Sequence, residues 1–166
     1  SVPGDLIGEN PKVTDVRTMF TNCSSLRSIP AELFAGTPAI TSFEGIFSGC
    51  LSLVDLPESL FAAIGTKTSS VTFAECFKNC IGLKSLPAGL FDTVTRINYI
   101  DDCFSGCFSL TGESPYTMVD GVKVHLYERQ RGEVFPNAPV SDSAHKGCFY
   151  SCNGLSDYGQ IPSTWK

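Results

Sequence analysis

The chain has 166 residues and a formal net charge of −5, from 12 Lys and Arg against 17 Asp and Glu. Its 42% apolar and 17% charged residues are the proportions of a folded domain rather than a disordered one, and the length suits one domain with its own core. No run of basic residues occurs, which argues against nucleic acid and against an anionic membrane surface as partners. No apolar stretch approaches the ~20 residues that span a bilayer, so no membrane insertion by this segment is expected.

The chain begins inside a repeat. Residues 1–20 align without a gap onto residues 28–47, matching Val2-Pro3 with Ile29-Pro30, Leu6 with Leu33, Pro11 with Pro38 and Phe20 with Phe47. The half-unit that would precede Ser1 is missing, and the expectation is a fragment of a longer array. Three ungapped copies of F-x-x-C-x-x-L-x-x-[IL]-P-x-x-L-F follow, at residues 20–34, 47–61 and 77–91. Degraded copies lie at 104–110 and 149–162. The period is 27 residues from Phe20 to Phe47, 30 from Phe47 to Phe77, and 27 again to Phe104. The three extra residues fall within 65–70. One such unit is too small to bury its Leu, Ile and Phe alone, so neighbours must stack into a continuous core.

Each unit reads as a short extended segment at x-L-x-x-[IL], a proline that ends ladder pairing, and a helical turn at x-x-L-F. A second extended segment follows, at residues 39–43 or 96–100, and a short helix or turn such as residues 44–50 closes the unit. Strands of adjacent units should pair in parallel at ~4.8 Å. The predicted spine is the column Leu26, Leu53, Leu83, Leu110 and Leu155. Beside it run Ile29, Leu56 and Leu86, and the phenylalanines 20, 47, 77, 104 and 149. The expected fold is an α/β repeat solenoid forming a single domain over 1–166. Its parts are a partial unit at about 1–20, units at 20–46, 47–76 and 77–103, and an interrupted unit at 104–112. An insertion at 113–147 and a C-terminal unit with cap at 148–166 complete it.

The insertion breaks the pattern. Residues 116–119 and 122–127 flank Asp120-Gly121, a strong β-hairpin signal, and a polar loop with Pro136 and Pro139 follows. Trp165 falls in the column of Leu33, Leu60 and Leu90 and reads as a cap on the last unit.

Five of the eight cysteines share one repeat column: Cys23, Cys50, Cys80, Cys107 and Cys152. Cys76, Cys103 and Cys148 share a second, where the first two units carry Met19 and Ile46. A column that accepts Met, Ile and Cys reads as a buried apolar position, so buried free thiols are preferred. A disulfide between stacked cysteines, Cys76 with Cys103 foremost, is the alternative. Metal binding at Cys76/Cys80, Cys103/Cys107 or Cys148/Cys152 is disfavoured, because structural zinc prefers C-x-x-C or Cys with His.

The unit, carried by Phe47, Cys50, Leu53, Leu56 and Pro57 and their counterparts, resembles the BspA-like leucine-rich repeats of surface proteins from gut and oral bacteria. The ending LSDY-x-x-IP-x-x-W resembles a recurrent C-terminal arrangement in such proteins of gut Bacteroides-type bacteria. The resemblance implies a right-handed stack, a secreted or surface-anchored location, and a non-enzymatic adhesive or binding role.

The residues themselves give no active site. His125 and His145 are the available bases, and His125 alternates with Val124 and Leu126 as on the polar face of a strand. Asp101-Asp102 reads as a solvated helix start. No phosphate loop, calcium loop or zinc-protease motif occurs, so no enzyme activity, cofactor or metal is expected. Recognition is the better reading. Candidate residues are Arg27, Asp55 and Lys84 on the repeat face, and Tyr116, His125, Tyr127, Arg129 and Arg131 in the insertion, with side chains of the kind enriched at interfaces; the alternative, preferred for the insertion, is a hairpin cap whose aromatics bury the last unit. A protein partner is expected and a glycan, read by aromatics of the insertion, is possible; a spacer role is the third reading.

Overall fold

The structure is a computed structural model that describes residues 1–64, 70–94, 96–129 and 142–166. The extra residues of the long unit (65–69), Arg131, Pro136 and Pro139 lie outside the described residues.

The F-x-x-C segment builds the stack. In the second unit, the backbone N–H groups of Phe43, Gly45, Phe47 and Gly49 donate to the carbonyls of Thr72, Ala74, Cys76 and Lys78 of the next unit, at 2.9, 2.9, 2.9 and 2.8 Å. The residues between them, Ile46, Ser48 and Cys50, donate instead to the carbonyl three residues back within their own unit. Alternate N–H groups thus close local turns and cross to the neighbour. The same arrangement joins the first unit to the second, through the N–H groups of Val16, Thr18, Phe20 and Asn22.

This division of donors explains a correction. The short helices expected in each unit do not form: among the described residues there is no α-helix, only turns and three short 3-10 segments. Each F-x-x-C segment needs two residues of positive φ, four apart: Thr18 and Asn22, Gly45 and Gly49, Glu75 and Asn79, Asp102 and Gly106, Gly147 and Ser151. An α-helix cannot contain them. At one of these columns the side chains alternate by necessity. A Cβ on Gly49 would run into Asn22 Oδ1, and one on Gly106 into Asn79 Oδ1, so each Asn lies over the glycine of the following unit.

Regular strands are few. β1 (Val71–Thr72) and β2 (Ile97–Tyr99) pair in parallel, and single parallel bridges extend the row through Asp15, Ser42 and Thr72. Pairing therefore concentrates on the second extended segment of the unit. At the x-L-x-x-[IL] segment, backbone bonds join Val54 to Arg27, Lys84 to Val54 and Thr111 to Lys84, and Ser52 to Ser24 at the first seam.

Side chains stack in the same columns. Phe20, Phe47, Phe77, Phe104 and Phe149 form a ladder of near-parallel rings with centroids 5.5, 5.5, 5.5 and 5.6 Å apart. Phe34, Phe61 and Phe91 form a second, and Phe43 and Phe73 meet them edge-on. The predicted leucine spine from Leu26 to Leu155 is buried throughout. The thiols sit in this core: all eight cysteines are free, and all but Cys23 are buried.

The insertion leaves the stack unbroken. Ile100, Asp102, Phe104 and Gly106 donate to the carbonyls of Ala144, Lys146, Cys148 and Tyr150, so the last unit takes the place its predecessor expects. Between them the chain forms an antiparallel hairpin of β3 (Tyr116–Val119) and β4 (Val122–His125). Its turn residues Asp120 and Gly121 both have positive φ, as a two-residue hairpin loop requires.

Candidate interaction surface

Two carboxylates hold the hairpin against the stack. Asp92 accepts hydrogen bonds from Thr117 Oγ1 at 2.8 Å and Arg129 Nη2 at 3.0 Å. Asp157, in the last unit, accepts from the Ser114 amide and hydroxyl, and its Oδ2 lies 3.6 Å from His125 Nε2. The other ring nitrogen of His125 faces Glu128 Oε2 at 3.0 Å, and the ring stacks on Tyr127 with centroids 5.2 Å apart. Leu126 inserts fully into the core between them.

His125, Tyr127 and Arg129 are therefore interior residues and leave the surface set. Burial pulls Arg129 below its ordinary range while Asp92 opposes the change, and burial beside Asp157 pushes the Tyr127 hydroxyl up to about 12. His125 is thus not on a solvated strand face: β4 turns that side toward Glu128 and Asp157. Tyr116 is half-buried, with the Lys123 ammonium 4.5 Å from its ring centroid and bonded to Glu113. Tyr116 and Glu113, together with Glu58, Leu86, Pro87 and Ala88, border an open groove of about 410 Å³. Arg131 lies outside the described residues.

On the repeat face, Arg27, Asp55 and Lys84 are exposed. The bonds from Val54 to Arg27 and from Lys84 to Val54 place Arg27, Val54 and Lys84 in one column. Three residues earlier in each unit lies a feature the sequence reading missed. Leu51, Ile81 and Phe108 occupy the position immediately after the buried cysteine, and they are 44%, 41% and 64% exposed. Consecutive units thus set three apolar side chains side by side, with Val54 also exposed in the adjoining column. The end units carry Ser24 and Asn153 at the same place. The available signal was the residue after Cys in F-x-x-C-x, which stays apolar in three successive units although no core column needs it.

Burial pushes the Cys50 thiol up to about 11 and Cys152 to about 12, and raises Cys76, Cys80, Cys107 and Cys148 as well. Among the described residues, no group of three His, Cys, Asp or Glu side chains is placed to hold a metal ion. No helix of the described residues is long and apolar enough to cross a membrane.

No protein-family model matches this sequence, and no curated protein matches it. Among solved structures, the chain is similar to a leucine-rich repeat protein from Bacteroides ovatus, with 18% sequence identity and a TM-score of 0.23. The match covers 60% of this chain and 34% of that protein, about a third of its length.

Proposed function

We propose that this chain is a non-enzymatic recognition module, a leucine-rich-repeat solenoid that binds a protein partner at the cell surface or as a secreted protein. The observation that carries the reading is the exposed column Leu51, Ile81 and Phe108. Stacked units place equivalent side chains in a row, and an apolar row on a soluble face favours a partner that covers it. Arg27, Lys84 and Asp55 flank the row with charges of both signs, which suits a mixed protein surface. A surface location is in keeping with the repeat resemblance, and the burial of seven thiols keeps them out of reach of oxidants. A glycan reading draws less support, since Tyr127 and Trp165 are interior.

The test compares the wild-type chain with an Ile81→Ser, Phe108→Ser double variant on an immobilised panel of extracellular proteins and on a glycan array. Burying one such side chain is worth about 1.5–3 kcal/mol, so losing two is expected to weaken protein binding about a hundredfold or more. The melting temperature is expected to hold. Binding to glycans alone, or equal binding by the variant, would overturn the reading.

A further inference from the structure

The exposed row has a fixed step. Leu51, Ile81 and Phe108 stand at one position of three consecutive units, and Ser24 and Asn153 end the row on either side. The units that carry them stack at the step of the phenylalanine ladder, 5.5 Å from Phe47 to Phe77 and 5.5 Å from Phe77 to Phe104. Twice that step puts Leu51 and Phe108 about 11 Å apart along the stack. Units are in contact directly beneath the row, since a Cβ on Gly82 would lie 2.6 Å from the Leu51 carbonyl oxygen.

Two regular backbones can lay side chains along such a row. In an α-helix, positions i, i+4 and i+7 share a face and span ~10.5 Å. In an extended strand, positions i, i+2 and i+4 share a face and span ~13–14 Å. The helix matches the row and the strand overshoots it. Strand addition also has no sheet edge to use here. In the adjoining column the N–H groups of Val54, Lys84 and Thr111 are already bonded to the unit before, so the face offers side chains.

The charge next to the row has one sign. The adjoining column is Arg27, Val54, Lys84 and Thr111, with two exposed cations and no acid. Neither cation forms an ion pair among the described residues. Asp55 lies one residue further along the chain from the row.

Resting on the recognition role proposed above, we infer that the row seats an amphipathic helix of the partner, lying along the stack. Its apolar side chains at i, i+4 and i+7 cover Leu51, Ile81 and Phe108, and carboxylates on its border meet Arg27 and Lys84. Phe108, 64% exposed, is the aromatic anchor of the contact. A second copy of this chain does not supply such a helix from its described residues, which hold none.

The test measures binding of three capped, alanine-rich peptides of about 18 residues by fluorescence anisotropy. One has leucines at i, i+4, i+7 and i+11 with glutamates bordering them. The second has the same composition with leucines at every second position. The third keeps the helical leucines and replaces the glutamates by lysines. The first is expected to bind at least about tenfold more tightly than either control. Ile81→Ser with Phe108→Ser should abolish its binding. Lys84→Glu should weaken the glutamate peptide and strengthen the lysine peptide, each by about threefold or more. Equal or tighter binding of the alternating peptide would make the partner an extended chain, and equal binding of the two helical peptides would remove the charge match; either result overturns the inference. So does a wild-type dimer that the double variant dissolves, since the occupant would then be a second copy. If no peptide binds while the panel of extracellular proteins still binds through Ile81 and Phe108, the helix is refuted and the recognition role stands. If the double variant changes neither peptide nor panel binding, the recognition role falls as well.

Discussion

At Cys50, Cys80, Cys107 and Cys152, each thiol donates to the main-chain carbonyl of a phenylalanine one unit earlier: Phe20, Phe47, Phe77 and Phe104, at 3.3, 3.2, 3.2 and 3.1 Å. The site needs a side chain small enough for the crowded seam, apolar enough for the core, and able to give one weak hydrogen bond, and cysteine meets all three needs. The neighbouring column of Ile46, Cys76, Cys103 and Cys148 asks only for apolar volume, which is why its residue type varies. The burial of both columns was legible in the repeat itself. The thiol hydrogen bond was not, since a motif gives positions along the chain and no distance between units. Nor was the exposure of Cys23, which depends on having no neighbour on one side. The raised thiols give a pH dependence with a definite sign. Their folded pKa values lie above the ordinary value of 9.0, so above pH 9 the unfolded chain loses protons that the folded chain keeps. Stability is fully present below pH 9 and falls as pH rises toward 11–12, at about 1.4 kcal/mol per pH unit for each thiol so held. Calorimetry under reducing conditions is expected to show a melting temperature that is flat from pH 7 to 8 and falls steeply above about 9. A flat profile up to pH 11 would contradict the burial of these thiols.

At the scale of the element, the hairpin shows what local pattern conveys and where it stops. Asp120-Gly121 between two apolar-polar alternations specified the turn, and β3 and β4 form beside it. Which side of β4 faces inward was not legible, because alternation separates two faces without saying what each will meet. Here the side carrying His125 meets Glu128 and Asp157, so a polar face is buried. The helical turns failed for a related reason. Ile46-Phe47 carries helix-like spacing, but alternate N–H groups around it are taken by the next unit, while at Leu33-Phe34 the bonds close only local turns. Asp92 gives the hairpin its sharpest test. Its carboxylate is partly exposed while the Arg129 side chain is 1% exposed, so removing it leaves a buried guanidinium without that counter-charge. Asp92→Ala is expected to cost about 2–4 kcal/mol and to speed amide exchange in β3 and β4 before the repeat seams respond. Adding Arg129→Met to Asp92→Ala should recover part of that loss, since the double variant has no buried charge to strand. Additive costs in the double-variant cycle would show that the pair does not hold the hairpin.

For the whole molecule, units bonded to their neighbours through the backbone are expected to make stability close to one-dimensional, with unfolding beginning at the ends. The repeat period, the core columns and the capping role of Trp165 could all be read from the chain, because stacking makes every unit report on the same geometry. The return into register after the insertion was legible too, because Cys148, Phe149, Cys152 and Leu155 restore the motif. Trp165 and Leu6 fall at the same motif position in the sequence, but in the stack the Trp165 carbonyl accepts from Phe149 as Cys76, Cys103 and Cys148 accept from Phe47, Phe77 and Phe104. Trp165 is buried against His145 and Phe149 and closes the last seam. Trp165→Ala is expected to cost about 3–5 kcal/mol, the range for truncating a buried aromatic, with exchange rising first in residues 142–152. Leu6 is half exposed and closes nothing, so Leu6→Ala should change stability by no more than about 0.5 kcal/mol. Denaturant melts of the two variants decide the matter together. Equal losses would mean that the N-terminal face is as well covered as the C-terminal one, and the asymmetry of the stack would have to be abandoned. A large loss for Trp165→Ala alone would show that the last seam depends on the Trp165 ring, while Leu6 contributes little to the first.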